Sequence, residues 1–263
     1  MHGSMIKQFT FNHFEVNTYV VVDEATKQCA IVDPACEASF EDAQLTQYIE
    51  QEGLTVTLIL LTHAHVDHIA GLRQVCEHYG LPVTMHPEGR KLLKQAEVYG
   101  SLMGFAVNNM DDLDVKEIAD GDILSIENGK LHPEGELWYA VGSADNTLKN
   151  KDNPVKKIDN SAGASNNSQF SILNSQFIEC RYVPGHCPGS LCFVLPSEKA
   201  VLTGDALFHF SIGRTDLPGG DYPTLIDHLK RRILTLPDDY RVLPGHGIPS
   251  QIGKEKKYNS FLI

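Results

Sequence analysis

An α/β sandwich is the fold class this sequence predicts, on three observations. Strand and helix patterns alternate through the first half, as they do when helices cover a sheet. The apolar run Leu58–Leu61 reads as a buried strand that ends abruptly in His63, His65, Asp67 and His68. The 263 residues, 42% hydrophobic and 21% charged, supply enough apolar surface for one large globular domain.

Taken in order, Ile6–Phe14 and Thr18–Val22 cluster β-branched and aromatic residues as strands do. Ala30–Val32 is a short third strand closed by Asp33-Pro34, a turn-forming pair. Ser39–Glu52 carries an apolar stripe (Phe40, Ala43, Leu45, Tyr48, Ile49) and predicts a surface helix stopped by Gly53. After the Leu58–His68 stretch, His68–Tyr79 predicts a helix ended by Gly80, and Leu81–His86 a strand. Glu88–Met103 is helical in pattern, and Ile118–Ile126 reads as a turn at Asp120-Gly121 with a strand.

From about 133 to 176 the chain is rich in Asn, Ser and Lys, with Asn167–Phe170 echoed as Asn174–Phe177. The polar part of this stretch predicts a solvent-facing excursion, with a lid over the site as the alternative. Phe177–Val183 then resumes the sheet, and Leu191–Leu195 with Ala200–Leu202 predicts a hairpin. Tyr222–Leu234 is an amphipathic helix and Tyr240–Leu243 a last strand. Met1–Ser4 reads as a cloning remnant before a second methionine, leaving 5–263 as a single domain.

Composition narrows the function. A net charge of −12 disfavours nucleic acid, whose phosphates need a basic surface. No apolar run approaches the length of a membrane span, and Met5–Tyr19 lacks the apolar core of a secretory signal. Six cysteines without framework spacing suit a reducing cytoplasm. The oligomeric state is left open.

The chemistry is concentrated in LILLTHAHVDH, Leu58–His68. In an extended chain residues two apart share a side, so His63 and His65 can reach one point, while Asp67 and His68 aim at a second. Neutral imidazoles with a carboxylate are ligands of zinc or a similar first-row ion. The arrangement resembles the metallo-β-lactamase superfamily. That family's later ligands have counterparts in the right order: His186 in VPGHCPGS, Asp205 in LTGDALF and His246 in LPGHG.

The resemblance implies a four-layered αββα sandwich with a two-metal site at one edge. Residue by residue, it assigns His63, His65 and His186 to one divalent ion and Asp67, His68 and His246 to the other. Asp205 would bridge them. The ions would be zinc, with iron and manganese as alternatives. Two metals roughly 3.5–4 Å apart share a water whose pKa falls from 15.7 toward about 7, giving a hydroxide nucleophile that Asp67 would orient. A thiolate leaving group needs little proton donation, so a small-molecule thioester is the expected substrate. The superfamily's β-lactamases generally carry Cys or Ser where this chain has Asp205, which shifts the expectation toward other hydrolases.

GDALFHFSIGRTDLPGGD, Gly204–Asp221, is similar to the short glyoxalase II-like proteins (hydroxyacylglutathione hydrolase-like), and the likeness spans Ile6–Ile263 apart from the low-complexity stretch. It implies a metal-dependent hydroxyacyl thioesterase. The alternatives are a persulfide dioxygenase holding one iron through His63, His186 and Asp205, a lactone or phosphoester hydrolase, and a metal-binding scaffold. Full-length glyoxalase II proteins continue after the last histidine with a helical glutathione-binding domain. Here a short tail follows His246, so weak binding of glutathione itself is expected. Three residues keep two readings: Asp33 orients a ligand or makes a turn, and Arg214 grips a substrate carboxylate or forms a structural ion pair. Cys187 packs or ligates, and packing is favoured. His86 is expected to be an ordinary strand-end histidine. Lys254, Lys256 and Lys257 read as a solvated basic tail.

Overall fold

The computed structural model describes residues 4–107, 110–132 and 177–263, so the low-complexity stretch at about 133–176 lies outside the described residues. The first sheet holds β1 (Ser4–Phe11), β2 (Val16–Asp23), β3 (Gln28–Val32), β4 (Thr55–Leu60), β5 (Val83–Met85) and β6 (Val115–Glu117), side by side in that order. β1 to β3 form an antiparallel meander, whereas β3 to β6 run parallel. Parallel neighbours need a crossover, and helices supply it. These are α1 (Ser39–Gln51), α2 (Leu72–Tyr79) and the pair α3 (Arg90–Lys94) and α4 (Ala96–Met103).

The second sheet is built from β7 (Ile123–Ser125), β8 (Leu131–His132), β9 (Phe177–Tyr182), β10 (Leu191–Leu195), β11 (Ala200–Gly204), β14 (Arg241–Pro244) and β15 (Ser250–Gln251). Its order is β15-β14-β11-β10-β9-β7-β8. A small hairpin of β12 (Leu207–Phe208) and β13 (Ser211–Ile212) follows β11. β14 lies parallel to β11, and the crossover between them carries α5 (Tyr222–His228). Asp221 caps α5, its side chain accepting from the Thr224 amide at 2.9 Å. The helix then runs on through a π turn, Leu229–Ile233.

Three separate cores define four layers. Ile31 and Ile59 of the first sheet pack under Leu45 and Ile49 of α1 and Leu72 and Val75 of α2. Leu58 and Leu60, alternating with Ile59 and Leu61, point the other way and meet Leu124, Ile178, Phe193 and Leu202 of the second sheet. Val194, Val201 and Val242 on that sheet's outer face pack with Leu225, Leu229 and Ile233. The end of β4, Leu58–Leu60, is thus buried on both faces, which explains its apolar run. The αββα expectation is met. Among the described residues, no helix is long and apolar enough to cross a membrane.

The structure departs from the sequence reading in three places. The helix expected from His68 begins only at Leu72. Residues before it are tied down as a turn by His68 N–H to His65 O (3.1 Å) and Gly71 N–H to Pro34 O (2.9 Å). The segment expected as one helix over Glu88–Met103 opens with a 3₁₀ turn, Pro87–Gly89, and bends at Gln95 (φ −95°, ψ 2°). The bend sends Leu93 and Ala96 into the same core. The basic tail forms β15 and α6 (Ile252–Tyr258), in which Lys256 reaches Leu236 O at 3.0 Å and Asp238 at 2.6 Å. Glu255 on α6 is fully buried and accepts from the Phe210 amide (3.1 Å), Asn259 Nδ2 (2.8 Å) and Ser250 Oγ.

Candidate metal centre

Four of the sequence-singled residues leave the sheet together, at the carboxyl end of β4. Their loop is held by buried side chains rather than by helix. Asn12 Nδ2 donates to both Ala35 O (3.0 Å) and Asp67 O (2.9 Å), and its own amide donates to Glu41 Oε1 at 2.7 Å. Gly71 passes so close to Cys36 that a Cβ there would sit 2.5 Å from its carbonyl oxygen. The remaining three come from the second sheet: His186 between β9 and β10, Asp205 just beyond β11 and His246 just beyond β14. The His246 loop is bound to β2 in the other sheet. Asn17 Nδ2 donates to Pro244 O (3.0 Å) and Gly247 O (2.9 Å), Tyr19 Oη donates to Pro244 O (2.8 Å), and Val16 pairs with His246 as a β-bridge. Gly245 is required here, because a side chain would strike Asp205 Oδ1 and His68 Cε1.

The hydrogen bonds at the backs of four rings set their tautomers. His186 Nδ1 faces Arg214 O at 2.8 Å and His246 Nδ1 faces Phe14 O at 2.9 Å. A carbonyl only accepts, so each Nδ1 carries the proton and each Nε2 a free lone pair. His68 Nδ1 likewise donates to Asp33 Oδ2 at 3.0 Å. Thr62 Oγ1 gives its proton to Asp33 Oδ2 at 2.6 Å, leaving its oxygen to accept from His63 Nδ1 at 3.1 Å. The nitrogens at the fronts of these rings crowd together. Nε2 of His186 lies 2.9 Å from Nδ1 of His65, and Nε2 of His68 lies 3.3 Å from Nε2 of His246.

These atoms fall into three overlapping groups: His63, His65, His186 and Cys187; His63, His68 and Asp205; and Asp67, His68 and His246, with ligand atoms in each within 4.8 Å. Asp205 stands between the sets. Its Oδ1 is 3.3 Å from His68 Nε2, while Oδ2 is 3.7 Å from His186 Nε2 and 3.6 Å from His246 Nε2. Asp67 Oδ2 is 3.2 Å from His246 Nε2. Inside this cluster His63 Nε2 and Asp205 Oδ1 are buried without any hydrogen-bond partner. Burying such atoms unpaired costs about 1–3 kcal/mol each, and crowded lone pairs add repulsion. Cations among them remove both penalties, so the donor set fits two first-row ions.

The electrostatics separate the histidines. Burial, with the neighbouring His68 and His65, holds His63 well below its ordinary range. Burial and the adjacent His186 bring His65 down to about 4. His68 goes the other way: burial opposes its charge, but Asp205, Asp67 and Asp33 outweigh it and raise its pKa. Against the same burial, His68 and its neighbours hold both Asp67 and Asp205 below the usual carboxylate range. Both acids stay ionised, as ligands must.

All seven singled-out residues are therefore brought together, and Asp33 touches His68 as the ligand-orienting reading requires. Asp33 also has φ +52°, so it makes a turn as well. Cys187 Sγ is within ligand distance of the first set, yet burial pushes its thiol up to about 12 and Ser190 Oγ lies 3.2 Å away. Arg214 contributes its carbonyl to His186, while its exposed guanidinium grips Asp216 through two hydrogen bonds (2.8 and 2.7 Å). His86 stacks on Tyr182 at 4.3 Å and belongs to none of the three groups. Sequence reasoning missed Thr62, Asn12 and Asn17. Polar residues next to a metal motif or in a hairpin are a weak signal, and the carbonyls of Phe14 and Arg214 give no signal at all.

Comparison with known proteins agrees with this geometry. Residues 12–143 and 158–246 match the family model of the metallo-β-lactamase superfamily. A relative from Haemophilus influenzae, hydroxyacylglutathione hydrolase GloC, is 30% identical over 95% of this chain and 93% of its own length. Two solved structures are 27% identical: TTHA1623 in a di-iron-bound form (TM-score 0.69, 97% of this chain and 100% of that one) and BLEG-1 B3 metallo-β-lactamase (TM-score 0.66, 98% and 99%).

Proposed function

The chain belongs to the metallo-β-lactamase superfamily and is a metal-dependent hydrolase of it, and from that premise we propose that its substrate is a hydroxyacyl thioester. The observation that carries the reading is Asp205, which faces both histidine sets at once, Oδ1 toward His68 and Oδ2 toward His186. Its carboxylate allows both positions to be filled together, with His63, His65 and His186 holding one ion and Asp67, His68 and His246 the other. Two bound divalent ions, which we assign as zinc, supply Lewis acidity and lower the pKa of water toward about 7. The GloC relative supports a thioester over other carbonyl substrates.

The chain's own groups do the rest. Asp67 is ionised at neutral pH and its Oδ2 lies 3.2 Å from His246 Nε2 in the same cluster, so it can accept from an attacking water and fix its orientation. The departing thiol has a pKa near 8.5 and leaves without a dedicated acid. No protonated side chain has to be posted beside the sulfur. The reactants are small molecules from solution. All six cysteines are unpaired and buried, which favours a reducing cytoplasm.

Purified enzyme should release free thiol from lactoyl thioesters under nitrogen, with no oxygen consumed when oxygen is present. Oxygen uptake with glutathione persulfide and no thioester cleavage would overturn the assignment in favour of a dioxygenase. Preferential opening of a β-lactam ring would overturn it in favour of a lactamase.

A further inference from the structure

Beside the seven clustered residues the protein has a cleft of about 270 Å³, and its walls are unlike its floor. The floor is His65, Asp67, His186, Asp205 and His246. The walls are Phe14, Leu92, Tyr99, Met103, Leu217 and Pro218. Leu92, Tyr99 and Met103 come from α3 and α4, and the bend at Gln95 lies between them. At the mouth, Phe14 and Met103 remain 41% and 40% exposed, so their apolar surface is open to a bound group. Among the described residues, Arg214 is the one lysine or arginine lining the cleft, and its fork is already filled by Asp216.

We infer that the cleft binds an uncharged apolar group carried by the substrate, a short alkyl chain or an aromatic ring attached to the thioester. The inference rests on the thioesterase reading and narrows it. Three observations lead here. The cleft is continuous with the reacting centre, so whatever fills it is part of the substrate. Its volume exceeds the roughly 150 Å³ that accommodates a benzene ring. Its walls offer apolar contact and, among the described residues, give a carboxylate no free cationic side chain. A tripeptide thiol with two carboxylates is poorly matched to such walls. The apolar group can enter on the acyl side or on the thiol side, since both flank the same carbonyl.

Two thioester series distinguish the sides. In the first, N-acetylcysteamine carries acetyl, butanoyl, pentanoyl, hexanoyl or succinyl groups. In the second, the lactoyl group is fixed and the thiol is glutathione, N-acetylcysteamine or a plain alkanethiol. In one series kcat/KM should climb about four-fold per methylene, the equivalent of ~0.8 kcal/mol per buried CH₂. Succinyl should fall well below pentanoyl, or glutathione well below the alkanethiols. Met103→Lys should flatten the gradient and favour the charged member. A binding measurement stands apart from turnover: methyl ketones of four to eight carbons, titrated into protein with ¹³C-labelled methionine methyls, should shift the Met103 signal with affinity rising along the series. Flat kcat/KM in both series, with thiol release intact, overturns the inference and leaves the thioesterase reading standing. No thiol release from any thioester, with the ketone gradient intact, overturns the thioesterase reading and leaves the cleft's preference standing.

Discussion

Asp33 offers the sharpest test of how the centre is built. Its carboxylate accepts three buried hydrogen bonds: the Thr62 amide at 2.7 Å, Thr62 Oγ1 at 2.6 Å and His68 Nδ1 at 3.0 Å. Asp33→Asn keeps the shape, and asparagine tolerates the left-handed φ of +52° as aspartate does. One oxygen becomes an NH₂ group. With the amide oxygen kept on the Thr62 backbone N–H, the NH₂ faces His68 Nδ1, donor against donor. The ring must then move its proton to Nε2, the atom it turns toward His246 and Asp205. A ligand lone pair is lost without moving the ring. Loss of such a supporting hydrogen bond costs about 10–100-fold in metal affinity, or roughly 1.4–2.7 kcal/mol. Only the position shared by Asp67, His68 and His246 should suffer. Chelator titration with metal analysis should show one ion leaving early and the other unchanged. By linkage, the metal-loaded variant should melt about 3–10 °C below wild type, while the metal-free pair should differ by less. Equal affinities at both positions, or equal melting shifts with and without metal, would refute the tautomer argument.

Further predictions follow from other groups. His246→Ala should cut thioester turnover and abolish binding at one position while the His63, His65 and His186 position still fills, as metal analysis per chain will report; loss of both ions would contradict it. The metal-free protein should lose stability as pH falls from about 6.5 toward 4. His65 takes up its proton near 6.5 when unfolded but only near 4 when folded, so the unfolded state gains protons first, costing at most about 3 kcal/mol. His68, with its raised pKa, works in the opposite sense and stabilises the fold at low pH, losing that contribution as pH rises through the raised value. Urea titrations of wild type and His65→Asn should therefore show a flatter acid slope in the variant, and parallel slopes would exclude His65 as the cause. Glu255→Ala strips the acceptor from three buried donors and should cost about 3 kcal/mol by the same measurement. An unchanged midpoint would mean that water replaces the carboxylate.

What the sequence revealed, and what it hid, follows physical lines. The end of β4 was legible because Leu58–Leu60, buried on both faces, must be apolar, and the ligands were legible because imidazole and carboxylate are the chemistry itself. Helix α1 showed part of its stripe: Leu45 and Ile49 are buried as expected, whereas Phe40 is exposed and Glu41 is buried instead. The late start of α2 was hidden: nothing in His68–Gly71 announces that Pro34 O will hold the chain in a turn. α6 was hidden for a related reason. Its surface lysines suggest solvent, and only the fold reveals that Glu255 between them is buried among Ser250, Asn259 and the Phe210 amide. Asp33 could be read two ways because both readings are true of it. The cleft walls were the least visible: Leu92, Tyr99 and Met103 fall at helical spacing on one face, but nothing in the sequence says that this face meets Phe14, Leu217 and Pro218.

The seam between β2 and the His246 loop has a consequence for the order in which the protein assembles. The two rings that face each other there, His68 and His246, are 178 residues apart in sequence, and His65 and His186 are 121 apart. Neither position can be completed by a growing chain until the second sheet has emerged and docked. Contacts of such long separation form late and slowly. During synthesis the early histidines can offer a passing ion only the loose grip of a partial set. A complete ligand set therefore exists only in the folded chain, so a site of full affinity is a product of folding and not of the nascent chain.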